Sequence, residues 1–267
     1  MASTRRILTF MSKRHPEFLA PIAPTANKYS RGVVGVLAGS DEFPGAAVLA
    51  TGGARRGGAG YVKFHSTSAE ATSLVLTNFP DVVSIAKSGD LSADAWLIGS
   101  GSPSLKAIPS AAYIVLDSLA MSLASTHSFE QNHAIVITPH EGEARTLGFP
   151  IKDPSERLPI ALSMAKTLNA YVILKGPATI IAAPSGLHSI DTYGIPELST
   201  AGTGDLLAGL TASMLASWQP RSANEVVEIL GYAVAAHGCA AQIAREKRNP
   251  ITATEVLEAL PLVFTEK

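Results

Sequence analysis

The sequence predicts an α/β protein with a central, mostly parallel sheet and helices on both faces. Three observations predict it. Short apolar blocks recur along the chain, longer segments with helical spacing fall between many of them, and glycine-bearing turns follow several blocks. A strand covered on both faces reads as a continuous apolar run. Alternation of such runs with helices is the mark of a layered parallel sheet.

The predicted strands are Val33–Ala38, Ala95–Ile98, Tyr113–Leu116, Ala134–Thr138, Tyr171–Leu174 and Thr179–Ala183, and the clearest predicted helices are Ala46–Ala54, Ser155–Leu168, Asp205–Ser217 and Glu225–Glu246. No Pro/Gly/Ser linker divides them, so residues 26–267 read as one domain. Residues 1–25 read as a leader packed loosely on it or holding one short helix.

Of the 267 residues 46 % are apolar and 16 % charged, which argues for a packed globular body and against disorder. With a formal net charge of −1 and no dense basic stripe, nothing points to nucleic acid. The lone Cys239 excludes an intrachain disulfide and favours the cytoplasm. The apolar run near the start is broken by Lys13, Arg14 and His15 before it reaches signal-peptide length, and no run of about 18 uninterrupted apolar residues follows.

Ligands of such sheets bind beyond the carboxyl ends of the strands, so the residues after each strand carry the functional reading. In Ser199-Thr-Ala-Gly-Thr-Gly-Asp205, two glycines flank a threonine and lead into an amphipathic helix. Backbone N–H groups of Gly202, Thr203 and Gly204 can converge there on an anion, helped by the helix dipole. Helix capping by Thr203 or Asp205 explains the same pattern, and the spacing leaves both open. A Walker A loop is excluded by the missing Lys-Ser/Thr.

Thr138-Pro-His-Glu-Gly-Glu143 follows a strand. Thr138 and Glu141 have capping-box spacing with Pro139 at the first helical position, which leaves His140 unexplained. Lys175 follows the next strand and precedes Gly176, Pro177, Ala178 and Thr179, so it stands either near a phosphate or in a solvated turn. Gly52-Gly53 and Gly57-Gly-Ala-Gly60 serve either helix packing or a ligand loop, and Arg55 and Arg56 reach either phosphate or solvent. Gly99-Ser-Gly101 repeats the strand-to-glycine arrangement. No His-x-x-x-His pairing marks a metal site.

Lys28-Tyr-Ser-Arg-Gly32, Val36-Leu-Ala-Gly-Ser40, Pro44-Gly-Ala-Ala47, Gly57-Gly-Ala-Gly60, TPHEGE at 138–143, Leu174-Lys-Gly176 and AGTGDLLAG at 201–209, in that order, resemble the ADP/ATP-dependent NAD(P)H-hydrate dehydratases in their stand-alone form, without an epimerase domain. The resemblance implies a ribokinase-like three-layer fold. It implies a metabolite-repair lyase that uses ADP or ATP with Mg²⁺ to return hydrated NADH or NADPH to the reduced cofactor, working as a cytoplasmic homotetramer. It also implies roles: Asp205 as base toward the substrate hydroxyl, Gly202 to Gly204 as anion hole, Lys175 to Thr179 along the AMP portion, and Ala46, Gly101 and His140 on the hydrated dinucleotide. The chain departs from the family pattern at Asn27, at Gly194–Ala201, and at Asp117-Ser-Leu-Ala-Met121, which lacks a second carboxylate. Two alternatives stand beside this reading: a vitamin-precursor kinase of the same fold, and a catalytically silent nucleotide-binding module.

Overall fold

The computed structural model describes residues 22–85, 90–102, 108–127 and 132–264. The first 21 residues of the expected leader lie outside these. The elements are β1 (Val33–Leu37), α1 (Pro44–Ala54), β2 (Tyr61–His65), α2 (Ala69–Asn78), β3 (Val83–Ser84), β4 (Ala95–Ile98), β5 (Tyr113–Leu116), α3 (Leu123–Thr126), β6 (Ala134–Ile137), α4 (Glu141–Thr146), α5 (Arg157–Leu168), β7 (Tyr171–Leu174), β8 (Thr179–Ala182), β9 (His188–Asp191), α6 (Thr203–Trp218), α7 (Ala223–Lys247) and α8 (Ala253–Val263).

The strands form one nine-stranded sheet in the order β3-β2-β1-β4-β5-β6-β7-β8-β9. Pairing is parallel from β3 to β7, and β8 and β9 extend it with antiparallel pairings, β9 forming the edge. The chain runs outward from β1 to β2 and β3, then returns to β1's other side as β4, which opens a crevice at the carboxyl ends.

Residues of successive strands alternate between two cores, because side chains alternate across a pleated sheet. Val34, Val36, Leu97, Val115, Val136 and Ile173 face α1, α6, α7 and α8. Leu37, Trp96, Ile98, Ile114, Leu116, Ile137 and Leu174 face α4 and α5. Gly35 makes room for Trp96, whose ring a β-carbon there would meet at 2.4 Å.

The glycine runs resolve as packing. A β-carbon on Gly53 would lie 2.1 Å from the Leu206 carbonyl oxygen, and one on Gly209 would lie 1.9 Å from that of Ala50. Each glycine lets α1 and α6 meet backbone to backbone, which fixes the start of α6 over the sheet. Gly57 meets Ser213 and Gly60 meets Lys28 and Arg31 in the same way. Arg55 pairs with Asp81 at 2.8 Å and lies over the Phe79 ring, 4.4 Å from its centroid.

α7 is long and apolar enough to cross a membrane, but 78 % of its most apolar stretch is buried in the protein. Ser222 caps it by accepting the Glu225 N–H, and Cys239 lies in its buried face as a small hydrophobe.

Candidate active site

Beyond the carboxyl ends of β4 to β7 and the amino end of the antiparallel β8 lies a cavity of about 640 Å³, within the range of small-molecule sites. Three strand ends and one helix start supply its chemistry: Asp117 after β5, His140 after β6, Lys175 after β7, and the Gly202–Asp205 turn opening α6.

Thr138 was expected to cap the helix after β6, and the structure corrects this. Thr138 and Pro139 continue the extended strand, because the Lys175 N–H donates to the Pro139 carbonyl at 2.8 Å. The Thr138 hydroxyl is thereby turned to Asp117, to which it donates. The N-cap falls on His140 instead: its Nδ1 accepts the Glu143 N–H at 3.1 Å, while the His140 N–H donates to Glu143 Oε2 at 2.8 Å. His140 thus serves as a cap and also lines the cavity.

The Lys175 ammonium is the electrostatic hub. Nζ donates to Asp117 Oδ1 at 3.3 Å and lies 3.5 Å from Glu143 Oε2. Burial alone would depress this amine, but the Asp117 and Glu143 carboxylates outweigh it and hold its pKa above the ordinary lysine value. Lys175 is therefore a fixed cation and not a solvated turn residue. It also stands against the glycine turn, 3.2 Å from where a β-carbon on Gly204 would lie.

Gly202 takes φ +88° at the N-cap of α6, a conformation suited to glycine, and no side chain caps this helix. Its first N–H groups are thus left without a capping side chain beside Lys175. Thr203 is occupied elsewhere, donating to the carbonyls of Leu198 and Thr200. Asp205 sits in the first turn. Burial, reinforced by the Asp117 charge and opposed by Lys175, pushes its carboxyl up to about 7. A carboxylate so poised exchanges a proton near neutrality.

Of the residues singled out in the sequence, the cavity collects His140, Lys175, Gly176, Pro177, Thr179, Gly202, Thr203, Gly204 and Asp205. Ala46, Gly101 and Ala178 do not line it. Ala46 is in the first turn of α1; Gly101 packs at φ +73° against Gly39 and Ser40; Ala178 turns its carbonyl toward Arg157. Sequence reasoning missed Glu143 as a cavity residue, along with Asp191 and His237. Capping-box spacing at 138–143 was the available signal for Glu143. His237, deep in α7, carried none; its Nε2 is buried without a hydrogen-bond partner, and burial holds the imidazole down at about 4.

Among the described residues no cluster of three His, Cys, Asp or Glu side chains forms a metal cage. Mg²⁺ is commonly held by one or two carboxylates plus substrate oxygens. Asp117 and Glu143 are the oxygen donors beside Lys175 that would hold it.

A mostly parallel sheet whose strand order reverses at β1, with an uncapped helix start and a half-buried lysine at its carboxyl edge, is the layout of a ribokinase-like fold. The profile of the family described as NAD(P)H-hydrate dehydratase matches residues 34–262, and the chain belongs to that family. It is 31 % identical to the ADP-dependent (S)-NAD(P)H-hydrate dehydratase of Bacillus subtilis, over 90 % of this chain and 91 % of that protein. It is also 36 % identical over 212 residues to the bifunctional NAD(P)H-hydrate repair enzyme of Mycobacterium tuberculosis, where it spans only 43 % of the relative's length. Its fold matches the crystal structure of the B. subtilis ADP/ATP-dependent NAD(P)H-hydrate dehydratase, co-crystallised with ATP and Mg²⁺, at TM-score 0.79, 27 % identity and coverage of 91 % and 92 % of the two chains. A ribokinase-like superfamily protein from Enterococcus faecalis shares the fold at TM-score 0.78 and 21 % identity.

Proposed function

We propose that this chain dehydrates hydrated NADH and NADPH, restoring the reduced cofactors at the expense of ADP or ATP. The observation that carries the proposal is the convergence of Asp205, Lys175 and the Gly202–Gly204 turn on one cavity, in a chain that belongs to this family. Hydroxide is a poor leaving group and phosphate a good one. Transfer of a phosphoryl group to the ring hydroxyl, followed by loss of phosphate and a ring proton, therefore restores the dihydronicotinamide.

Phosphoryl transfer demands positioning and charge neutralisation more than covalent help. Asp205 accepts the hydroxyl proton as that oxygen attacks the terminal phosphorus, whose bond to the rest of the nucleotide breaks to release AMP from ADP or ADP from ATP. Backbone N–H groups of Gly202 to Gly204 hold the transferring group, and Lys175 offsets its charge. The Lys175–Thr179 loop flanks the nucleotide, and His140 contacts the hydrated dinucleotide. Mg²⁺, when bound with the nucleotide, supplies further charge neutralisation on the phosphates. The lone buried Cys239 and the family resemblance support a cytoplasmic site of action, as a homotetramer.

The test is to give the purified protein hydrated NADH with ADP or ATP and Mg²⁺. Recovery of reduced-nicotinamide absorbance, matched by phosphate release and dependent on both nucleotide and cation, is expected. Phosphorylation of a vitamin precursor offered in place of the hydrate, with no action on the hydrate itself, would assign a kinase instead.

A further inference from the structure

Arg157 is the first residue of α5 and is 8 % exposed, yet it does not line the cavity. Its guanidinium reaches the loop between β7 and β8. Nη1 donates to the Ala178 carbonyl at 2.7 Å, Nη2 donates to the Lys175 carbonyl at 3.2 Å, and Nε lies 3.0 Å from Glu141 Oε1 in α4. A β-carbon on Gly176 would stand 2.2 Å from Nη2, so the loop's glycine makes room for this contact. One side chain therefore grips the loop near both ends and ties it to α4, the helix capped by His140.

We infer that Arg157 is the positioning residue of the Lys175–Thr179 loop: it fixes the loop shape that presents Lys175 and Gly176 to an adenine nucleotide. This rests on the functional reading above, in which that loop flanks the nucleotide. With both carbonyls engaged by the guanidinium, the loop backbone is held behind the cavity wall while Lys175 Nζ reaches forward to Asp117, Glu143 and the Gly204 turn. The rigid planar fork matters, because its two terminal nitrogens donate to two carbonyls while Nε makes only a charge contact with the Glu141 carboxylate. A lysine in this position carries the charge but has a single nitrogen to share.

The test is calorimetric titration of ADP with Mg²⁺ into wild type, Arg157→Lys and Arg157→Gln, alongside melting curves and separate Michaelis constants for nucleotide and hydrate. Displacement of a cradle by about 1 Å commonly costs on the order of a hundredfold. Nucleotide affinity is accordingly expected to fall about ten- to hundredfold in both variants, while the Michaelis constant for hydrate stays within about twofold. Glu141→Gln keeps both carbonyl bonds and is expected to have a smaller effect than either.

Where Arg157→Gln does not fold, Arg157→Lys decides. Unchanged nucleotide affinity in a folded Arg157→Lys overturns the assignment, as does an equal rise in both Michaelis constants, which signals general loosening. Wild type that binds no adenine nucleotide overturns the functional reading as well, and calorimetry reads that without the hydrate assay.

Discussion

The ammonium of Lys175, at the end of β7, stands 3.2 Å from the place a β-carbon on Gly204 would take in the first turn of α6. Two motifs 29 positions apart in the sequence thus meet at one point, with Asp117 and Glu143 holding the lysine from behind. A fixed cation beside uncapped helix N–H groups is a place for an anion.

The two glycines of this turn have different jobs, and alanine separates them. Gly202→Ala places a β-carbon at φ +88° and 2.2 Å from Leu49 Cδ1. It is expected to cost about 1–3 kcal/mol in strain alone, read as a lower denaturant midpoint. Gly204→Ala has helical backbone, and its nearest neighbour is the movable tip of Lys175. It is expected to keep wild-type stability and lose nucleotide affinity by about tenfold or more, roughly 1.4 kcal/mol. Equal stability losses in both variants would contradict this division.

Lys175→Met removes the cation from a buried carboxylate. Asp117 is 4 % exposed and would lose the ammonium while keeping the Thr138 hydroxyl, a neutral donor. Breaking a buried pair from one side typically costs about 3–5 kcal/mol. The variant is expected to unfold at distinctly lower urea and to bind nucleotide weakly. Lys175→Met with Asp117→Asn should recover much of the stability and none of the binding. Failure of the second change to restore stability would show that the lysine matters for reasons other than its pairing with Asp117.

His237 gives the folded state a pH dependence. Its folded pKa of about 4 lies below the ordinary 6.5, chiefly through burial, with the Lys175 charge also lowering it. The unfolded chain therefore binds the proton more readily. The corresponding stability is fully present above about pH 6.5 and is lost as pH falls toward 4, up to about 3 kcal/mol. His237→Phe should flatten the stability profile between pH 6.5 and 4. An unchanged slope in the variant would mean that carboxylates alone govern acid unfolding.

Much of this architecture was legible in the sequence. The six predicted strands all exist because each is a continuous apolar run buried on both faces. β2 was not legible, because Lys63 interrupts its run; the structure buries that lysine by giving Nζ the Asp90 and Ser92 carbonyls and the Asp90 carboxylate. β9 was missed because its outward face is polar, as an edge strand's can be. Helix starts near residues 46 and 205 were placed two positions late, since Pro44-Gly45 and Thr203-Gly204 read as turn and open the helices instead.

The site was legible where a motif follows a strand, as at His140, Lys175 and Gly202 to Asp205. It was not legible where a distant element supplies the group. Arg157 and His237 arrive from the start of α5 and the middle of α7, and only the folded chain places them behind the loop and beneath the turn. Asp117 stood in view as a departure from the family pattern, while its short bond from Thr138 and its pairing with Lys175 required three strand ends to be brought side by side.

The central claim is that Asp205 removes the proton from the substrate hydroxyl, and Asp205→Asn tests it most directly. With the carboxyl at about 7, raised by burial and by Asp117, its ionisation weighs against the folded state as pH rises through 7. The Asn variant should therefore be at least as stable as wild type at pH 8. Nucleotide affinity should stay close to wild type, since backbone N–H groups and Lys175 carry it. Wild-type kcat/KM should rise with pH through about 7, and the variant should lose that rise. Turnover measured at pH 8 with hydrated NADH, ADP and Mg²⁺ should fall about 10²–10⁴-fold, or roughly 3–5 kcal/mol in the barrier. Near-normal turnover in a folded, nucleotide-binding Asn variant would contradict the account.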